Sequence, residues 1–432
     1  MPGLIAGSRM VPEKMEWKLL MAETIFYIII GILVFDYCIE RLLEYLNSTL
    51  WSDELPHELE GIYDAEKYRK SQAYSRANTR FSIFTDTSSF IAILLMLLLG
   101  GFAFLDQQVT QLSESPILIS LMFFGVLGIG SEILSIPFSI YGTFVIEERF
   151  GFNKTSIKTF ILDKLKGWLL AIIIGGGLLS LIIWIFTVSG PWFWLIAWGV
   201  ISGFMIFMSM FYSNLIVPLF NKQSPLQEGE LRDAIEAFSQ KVGFKLKNIY
   251  VIDNSKRSTK ANAYFTGLGA KKRIVLYDTL IEDHTTDELV AVLAHEIGHY
   301  KKKHTTTGLI ISVLQTGLML FILSLFISKP VLSQALGAEE ASFHMGLIAF
   351  GILYSPFSLL IGLITNSMSR RNEFAADRFA GLHYKASALI DALKKLSVNN
   401  LSNLRPHPAY VFFYYSHPPL LRRLDALRKI EK

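Results

Sequence analysis

Seven stretches of mostly apolar residues, at 22–44, 82–105, 116–146, 167–188, 191–218, 307–328 and 343–366, constrain this chain more than anything else in it. A bilayer core about 30 Å thick is crossed by roughly 20 helical residues. Inside it, backbone groups find partners only within a helix or a closed barrel. Stretches this long therefore predict an all-α integral membrane protein with about seven spans. Composition agrees, with 51% hydrophobic and 18% charged residues, where soluble domains carry about 25% charged. The first span is the weakest, because Asp36, Glu40, Arg41 and Glu44 crowd its end. The third is long and holds Glu132 and Pro137, which predicts a kink or an extension past the membrane, with the carboxylate turned to the bundle interior. The single cysteine, Cys38, excludes an intramolecular disulfide and is expected to be buried as a small apolar residue. A net charge of +4 gives no reason to expect nucleic acid as a partner. No small-residue cleavage site follows the first apolar run, so that run reads as a retained span.

Basic residues divide by loop. Segment 45–81 carries Lys67, Arg69, Lys70, Arg76 and Arg80, and 147–166 carries Arg149, Lys154, Lys158, Lys164 and Lys166. Segments 106–115 and 188–190 carry none, and 329–342 only Lys329. The positive-inside rule then puts 45–81, 147–166, 219–306 and the C-terminal region in the cytosol, against a mild contrary signal from Arg9, Lys14 and Lys18. The expected division is 1–218 with spans one to five, 219–306 as the first part of a polar domain, 307–366 with spans six and seven, and 367–432 as its second part. The polar domain is expected to be mainly helical and interrupted by the last two spans. Strand candidates lie at 248–252 and 273–277.

The chemistry concentrates in His295-Glu296-Ile297-Gly298-His299, inside a run that reads as helix and opens with the capping box Thr285-Thr-Asp-Glu288. Residues four apart share a helix face, so both imidazoles can reach one ion. Glu296 is offset, where its carboxylate can reach a water rather than take a ligand position. This set suits zinc-assisted peptide hydrolysis. Two histidines need a third protein ligand. His304 is one place off the spacing of a third histidine ligand and reads as a polar residue flanking a span. The better candidate is Glu373, four residues before Asp377 in Ser369–Ala380 beyond the last span. Glu373 can ligate while Asp377, one turn on, accepts the N–H of a ligating imidazole. Taken without the histidine motif, the two acids would be an exposed face balanced by Arg370, Arg371 and Arg378.

These residues carry a family resemblance. The histidine motif, Glu373-Phe-Ala-Ala-Asp377 two spans later, Asn262-Ala-Tyr-Phe265 upstream and Ser416-His-Pro-Pro419 near the end resemble the type I CAAX prenyl proteases in order and layout. The smaller HtpX-type membrane proteases share the zinc motifs but have fewer spans. The resemblance implies a ring of seven helices around an intramembrane chamber, closed on one side by a gluzincin-like zinc domain. It implies one Zn2+ on His295, His299 and Glu373, Glu296 as general base, and Asp377 behind the ligands. Asn262 and His417 match positions that line the substrate groove.

The expected protein is a membrane zinc metalloendopeptidase whose partners are a peptide or prenylated protein C-terminus and the lipid bilayer. It would release the C-terminal tripeptide of an isoprenylated Cys-aliphatic-aliphatic-X tail. Its expected location is the endoplasmic reticulum or a bacterial inner membrane, with the zinc domain cytosolic. Quality-control proteolysis of non-prenylated membrane peptides is the alternative within the enzyme class. A seven-span transporter or receptor with a structural zinc is the alternative outside it. Glu296 argues against the latter, because a structural site needs no adjacent base.

Overall fold

The computed structural model describes residues 11–244, 249–267 and 273–430, so Arg9 and Asn248 lie outside the described residues. The membrane part opens with α1 (Val11–Ser48), α2 (Ala65–Leu98), α3 (Gly101–Thr110) and α4 (Pro116–Tyr141), which runs on as a π-turn to Glu147. It continues with α5 (Ile157–Leu170), a second π-turn, α6 (Gly177–Ser189), α7 (Phe193–Leu215) and α8 (Val217–Phe220). Next come β1 (Gln223–Pro225), α9 (Glu230–Lys241), β2 (Ile249–Ile252), β3 (Ala263–Thr266), β4 (Arg273–Tyr277), α10 (Asp278–Asp283) and α11 (Thr286–Lys301). The remainder is α12 (His304–Phe326), α13 (Pro330–Ala335), α14 (Phe343–His383), α15 (Ala386–Asn399), α16 (Pro408–Tyr414) and α17 (Leu420–Arg428).

Among the described residues, six helical segments are long and apolar enough to span a bilayer. One of them, Ile157–Phe220, has 64 residues, about 96 Å of helix at 1.5 Å per residue and far more than one crossing. It folds back at Gly190-Pro191, where Gly190 takes φ +51°, and α6 packs on α7. The seven expected stretches are thus all helical. The second ends earlier than expected, because Gly100 at φ +66° breaks the helix between α2 and α3. Burial covers only 6–17% of the most apolar window of each segment.

The charges in the first span find partners. Arg41 Nη2 donates to Asp86 on α2 at 2.9 Å and Nη1 lies 2.8 Å from Glu44. Glu132 on α4 pairs with Lys164 on α5 at 2.8 Å. Cys38 is exposed, contrary to expectation, because it falls on an outward position of α1 rather than at a helix contact.

The chain's two ends of charge also separate in space. Leu59, Tyr63 and Tyr68 from the basic first loop share one buried cluster with Leu289, Leu293 and Leu424 of the polar region. The second basic loop joins it through Lys154 N–H donating to Arg257 O at 3.0 Å. The Lys/Arg-poor loops meet elsewhere, around a cavity of about 870 Å³ lined by Asp106, Gln111, Glu340 and His344.

Both expected strands form, within a four-stranded sheet of order β1-β2-β4-β3. β2 and β4 run parallel, and β1 and β3 pair antiparallel at its two edges. β1 and β3 are too short to leave a period-two signal in the sequence. Phe265 of β3 packs at a tilt against Tyr300 of α11, with ring centres 5.5 Å apart, which puts the free edge of β3 beside the histidine helix.

Candidate metal centre

The capping box at the start of α11 forms in full. Thr285 Oγ1 accepts from Glu288 N–H, and Glu288 Oε2 accepts from Thr285 N–H at 2.8 Å. Leu289, Val290, Leu293 and Ile297 then bury one face, which turns His295 and His299 toward the end of α14. Gly298 makes the close approach possible. A Cβ there would stand 3.1 Å from Ala376 Cα and 3.2 Å from its carbonyl oxygen.

This crossing brings His295, His299 and Glu373 together. The two imidazole Nε2 atoms lie 3.1 Å apart, with Glu373 Oε1 3.2 Å from His299 Nε2 and Oε2 3.5 Å from His295 Nε2. Tetrahedral zinc with bonds near 2.05 Å holds its donors about 3.3 Å apart, so the donor set fits such an ion. Glu373 Oε2 is buried and receives no hydrogen bond among the described residues, as a carboxylate oxygen reserved for a cation would be. No second group of three His, Cys, Asp or Glu residues is arranged to hold a metal among the described residues.

The surrounding residues set the tautomers. His295 Nδ1–H donates to Asp377 Oδ1 at 2.9 Å, which leaves the Nε2 lone pair facing Glu373. Burial alone would lower the His295 pKa, but the Asp377 and Glu373 carboxylates beside the ring outweigh it and raise it to about 9. The pocket thus favours positive charge. Asp377 is itself gripped by Arg423 of α17, through Nη2 at 2.6 Å and Nε at 2.8 Å, and Arg423 Nη1 lies 3.4 Å from Glu373 Oε2. Glu296 follows His295 on α11 and is only partly covered. Burial raises its carboxyl pKa, against the opposing pull of His295 and His299.

His417 stands in the turn between α16 and α17, with Nε2 3.4 Å from Glu373 Oε1 and a side chain 64% exposed. Pro418 is buried while His417 is open, so the imidazole lines the site rather than the core. Asn262 is exposed at the start of β3. Its backbone carbonyl accepts from Tyr277 N–H at 3.1 Å, and no hydrogen bond joins it to the three converging residues among the described residues.

Two neighbours of the site escaped the sequence reading. Arg423 lies on the buried stripe Leu420, Arg423, Leu424, Leu427 of α17. A lone charge in that i, i+3, i+4, i+7 pattern was the available signal. His304, expected to be a polar residue flanking a span, instead sets its Nδ1 3.1 Å from His299 Nδ1. Lys303 at φ +59° reverses the chain between α11 and α12 and brings it there.

Two family descriptions tile the chain: a CAAX prenyl protease N-terminal region of five membrane helices over 44–222, and peptidase family M48 over 225–431. The chain is 37% identical to a CAAX prenyl protease 1 homolog of Arabidopsis thaliana, over 92% of its length and 96% of the relative's. It is 36% identical to CAAX prenyl protease 1 of Saccharomyces cerevisiae, over 96% of each. The crystal structure of S. mikatae Ste24p superposes with a TM-score of 0.88 at 34% identity, over 95% of this chain and 99% of that one. M48 peptidases are metallopeptidases, so the convergent donors sit in an enzyme rather than in a transporter or receptor with a structural ion. By sequence along its whole length and by fold, the chain belongs to the type I CAAX prenyl protease family of multi-pass membrane metallopeptidases.

Proposed function

We propose that this enzyme is a zinc endopeptidase that removes the C-terminal tripeptide from isoprenylated Cys-aliphatic-aliphatic-X tails. The observation that carries the reading is the 3.1–3.5 Å convergence of His295, His299 and Glu373, with Glu296 on the same helix. The relatives' names, CAAX prenyl protease 1, favour the prenylated substrate.

In this reading His295, His299 and Glu373 hold one Zn2+ per chain. When bound, the ion supplies a Lewis acid for the scissile carbonyl and makes water in the site more acidic. Glu296 takes the proton of the attacking water as its oxygen bonds to the carbonyl carbon, and passes that proton to the leaving amine as the C–N bond breaks. Asp377, held by Arg423, keeps His295 in the tautomer that presents Nε2. His417 donates to the oxygen that gains negative charge. Asn262 and the free edge of β3 bind the peptide backbone by strand addition. The protease domain is then built from 219–306 and 367–432, on the cytosolic face of the endoplasmic reticulum or a bacterial inner membrane, with 1–218 and 307–366 as the membrane body.

Mass spectrometry of products from a farnesylated Cys-aliphatic-aliphatic-X peptide and its unprenylated twin tests the substrate. Release of the last three residues from the farnesylated peptide at a far higher rate is the expected outcome. Equal cleavage of both would move the reading to quality-control proteolysis.

A further inference from the structure

The segment leading into β3, the strand beside α11, is held to the membrane body at several points, and Lys260 is the one nearest the strand. Lys260, two residues before Asn262, sends its ammonium to the near ends of α2 and α4. Nζ donates to Tyr74 Oη at 2.7 Å, lies 2.9 Å from Glu147 Oε2 and stands 4.5 Å from the centre of the Phe152 ring. Tyr74 donates to Glu147 in turn and packs edge-on against Phe150 and Phe152. Burial opposes the charge on Lys260, yet its bonds to Tyr74 and Glu147 prevail and raise its pKa. The surroundings therefore favour the charged ammonium.

The adjoining backbone is tied down on both sides, to the second basic loop and to the end of α15. Thr259 N–H donates to Phe152 O at 3.1 Å, and Asn400 exchanges two 3.2 Å bonds with the backbone of Ala261. Partly buried ion pairs add little net stability, since desolvation offsets their attraction. Their firm consequence is geometric, fixing one segment relative to another.

We infer that Lys260, clamped by Tyr74 and Glu147, is a positioning residue for substrate: it sets Asn262 and the free edge of β3 against α11, so that the membrane body governs peptide affinity. The inference rests on the reading of Asn262 and β3 as the peptide-binding edge. It requires that Lys260 act on binding more than on the chemical step, since nothing in this network touches the metal donors.

The test uses the full-length enzyme and a farnesylated peptide, with Lys260→Met, Glu147→Gln, the double variant, Lys260→Arg and, in parallel, Asn262→Ala. Each single variant in the clamp should raise KM about five- to tenfold, with kcat within about twofold and metal content unchanged. The double variant should be no worse than either single one, because both remove the same contact. Lys260→Arg should recover most of the affinity by keeping the ion pair. Wild-type KM in the folded clamp variants, or losses confined to melting temperature, would overturn the inference, as would additive losses in the double variant. If Asn262→Ala is impaired while the clamp variants are not, only this inference falls. If Asn262→Ala has wild-type kinetics, the edge-strand reading falls and takes the inference with it.

Discussion

At the metal centre each side chain has one geometric task, and substitutions should separate those tasks by what they do to metal and to turnover. Glu296 contributes no atom to the converging set, so Glu296→Gln should keep about one zinc per chain while peptide cleavage falls by orders of magnitude. Glu373→Ala should lose both, because two imidazoles hold zinc poorly. Asp377→Asn and Arg423→Met should fall between, with roughly 10- to 100-fold losses in metal affinity, since they act through His295 and Glu373. Metal analysis with kinetics on the same preparations checks the order. Zinc bound as tightly in Glu373→Ala as in the unaltered enzyme would remove Glu373 from the donor set. The two histidines were legible because their i, i+4 spacing is local, and Glu373 with Asp377 because the same spacing recurs beyond the last span. Arg423 and His304 were not, because their partners are set by how α17 and α12 dock, which no local spacing records.

At the scale of elements, the site depends on how closely α11 crosses the end of α14. Gly298 is where that distance is decided, with Ala376 backbone atoms only 3.1–3.2 Å from where a Cβ would stand. Backbone cannot yield as a flexible side chain can, so Gly298→Ala should push the two helices apart by a few tenths of an ångström. Glu373 would move away from both imidazoles together. The expected outcome is weaker metal binding, about tenfold, and a destabilisation of about 1–3 kcal/mol from overpacking. Competition with a calibrated chelator and thermal melts measure the two effects, and a fall in melting temperature with metal affinity unchanged would place the cost elsewhere. Sequence patterns found the long elements well, since the spans and α11 carry sustained periodicity or apolar length. They did not find β1 and β3, of three and four residues, whose existence depends on pairing with β2 and β4.

At the scale of the whole molecule, segments assigned to one side of the membrane by their charge also share contacts. The basic first loop packs its Leu59 and Tyr63 into the cluster that supports α11, and the basic second loop holds 257–260 through Arg257 and Asp163 at 2.9 Å. The charge-poor segments gather around Asp106 and His344, paired at 2.5 Å. The apolar length of the spans and the loop charges thus predicted the grouping, while which face is cytosolic rests on the positive-inside rule alone. A single-cysteine scan in a Cys38→Ala background addresses that face directly, and Cys38 must be replaced because it is exposed. Cysteines placed at Phe160 and Gln240 should react with a membrane-impermeant maleimide only from the cytosolic side, and those at the exposed Thr110 and Glu340 only from the opposite side. The reverse pattern would keep the grouping but turn the molecule over. The peptidase would then face the lumen or periplasm, and C-terminal tails displayed in the cytosol could no longer be its substrates.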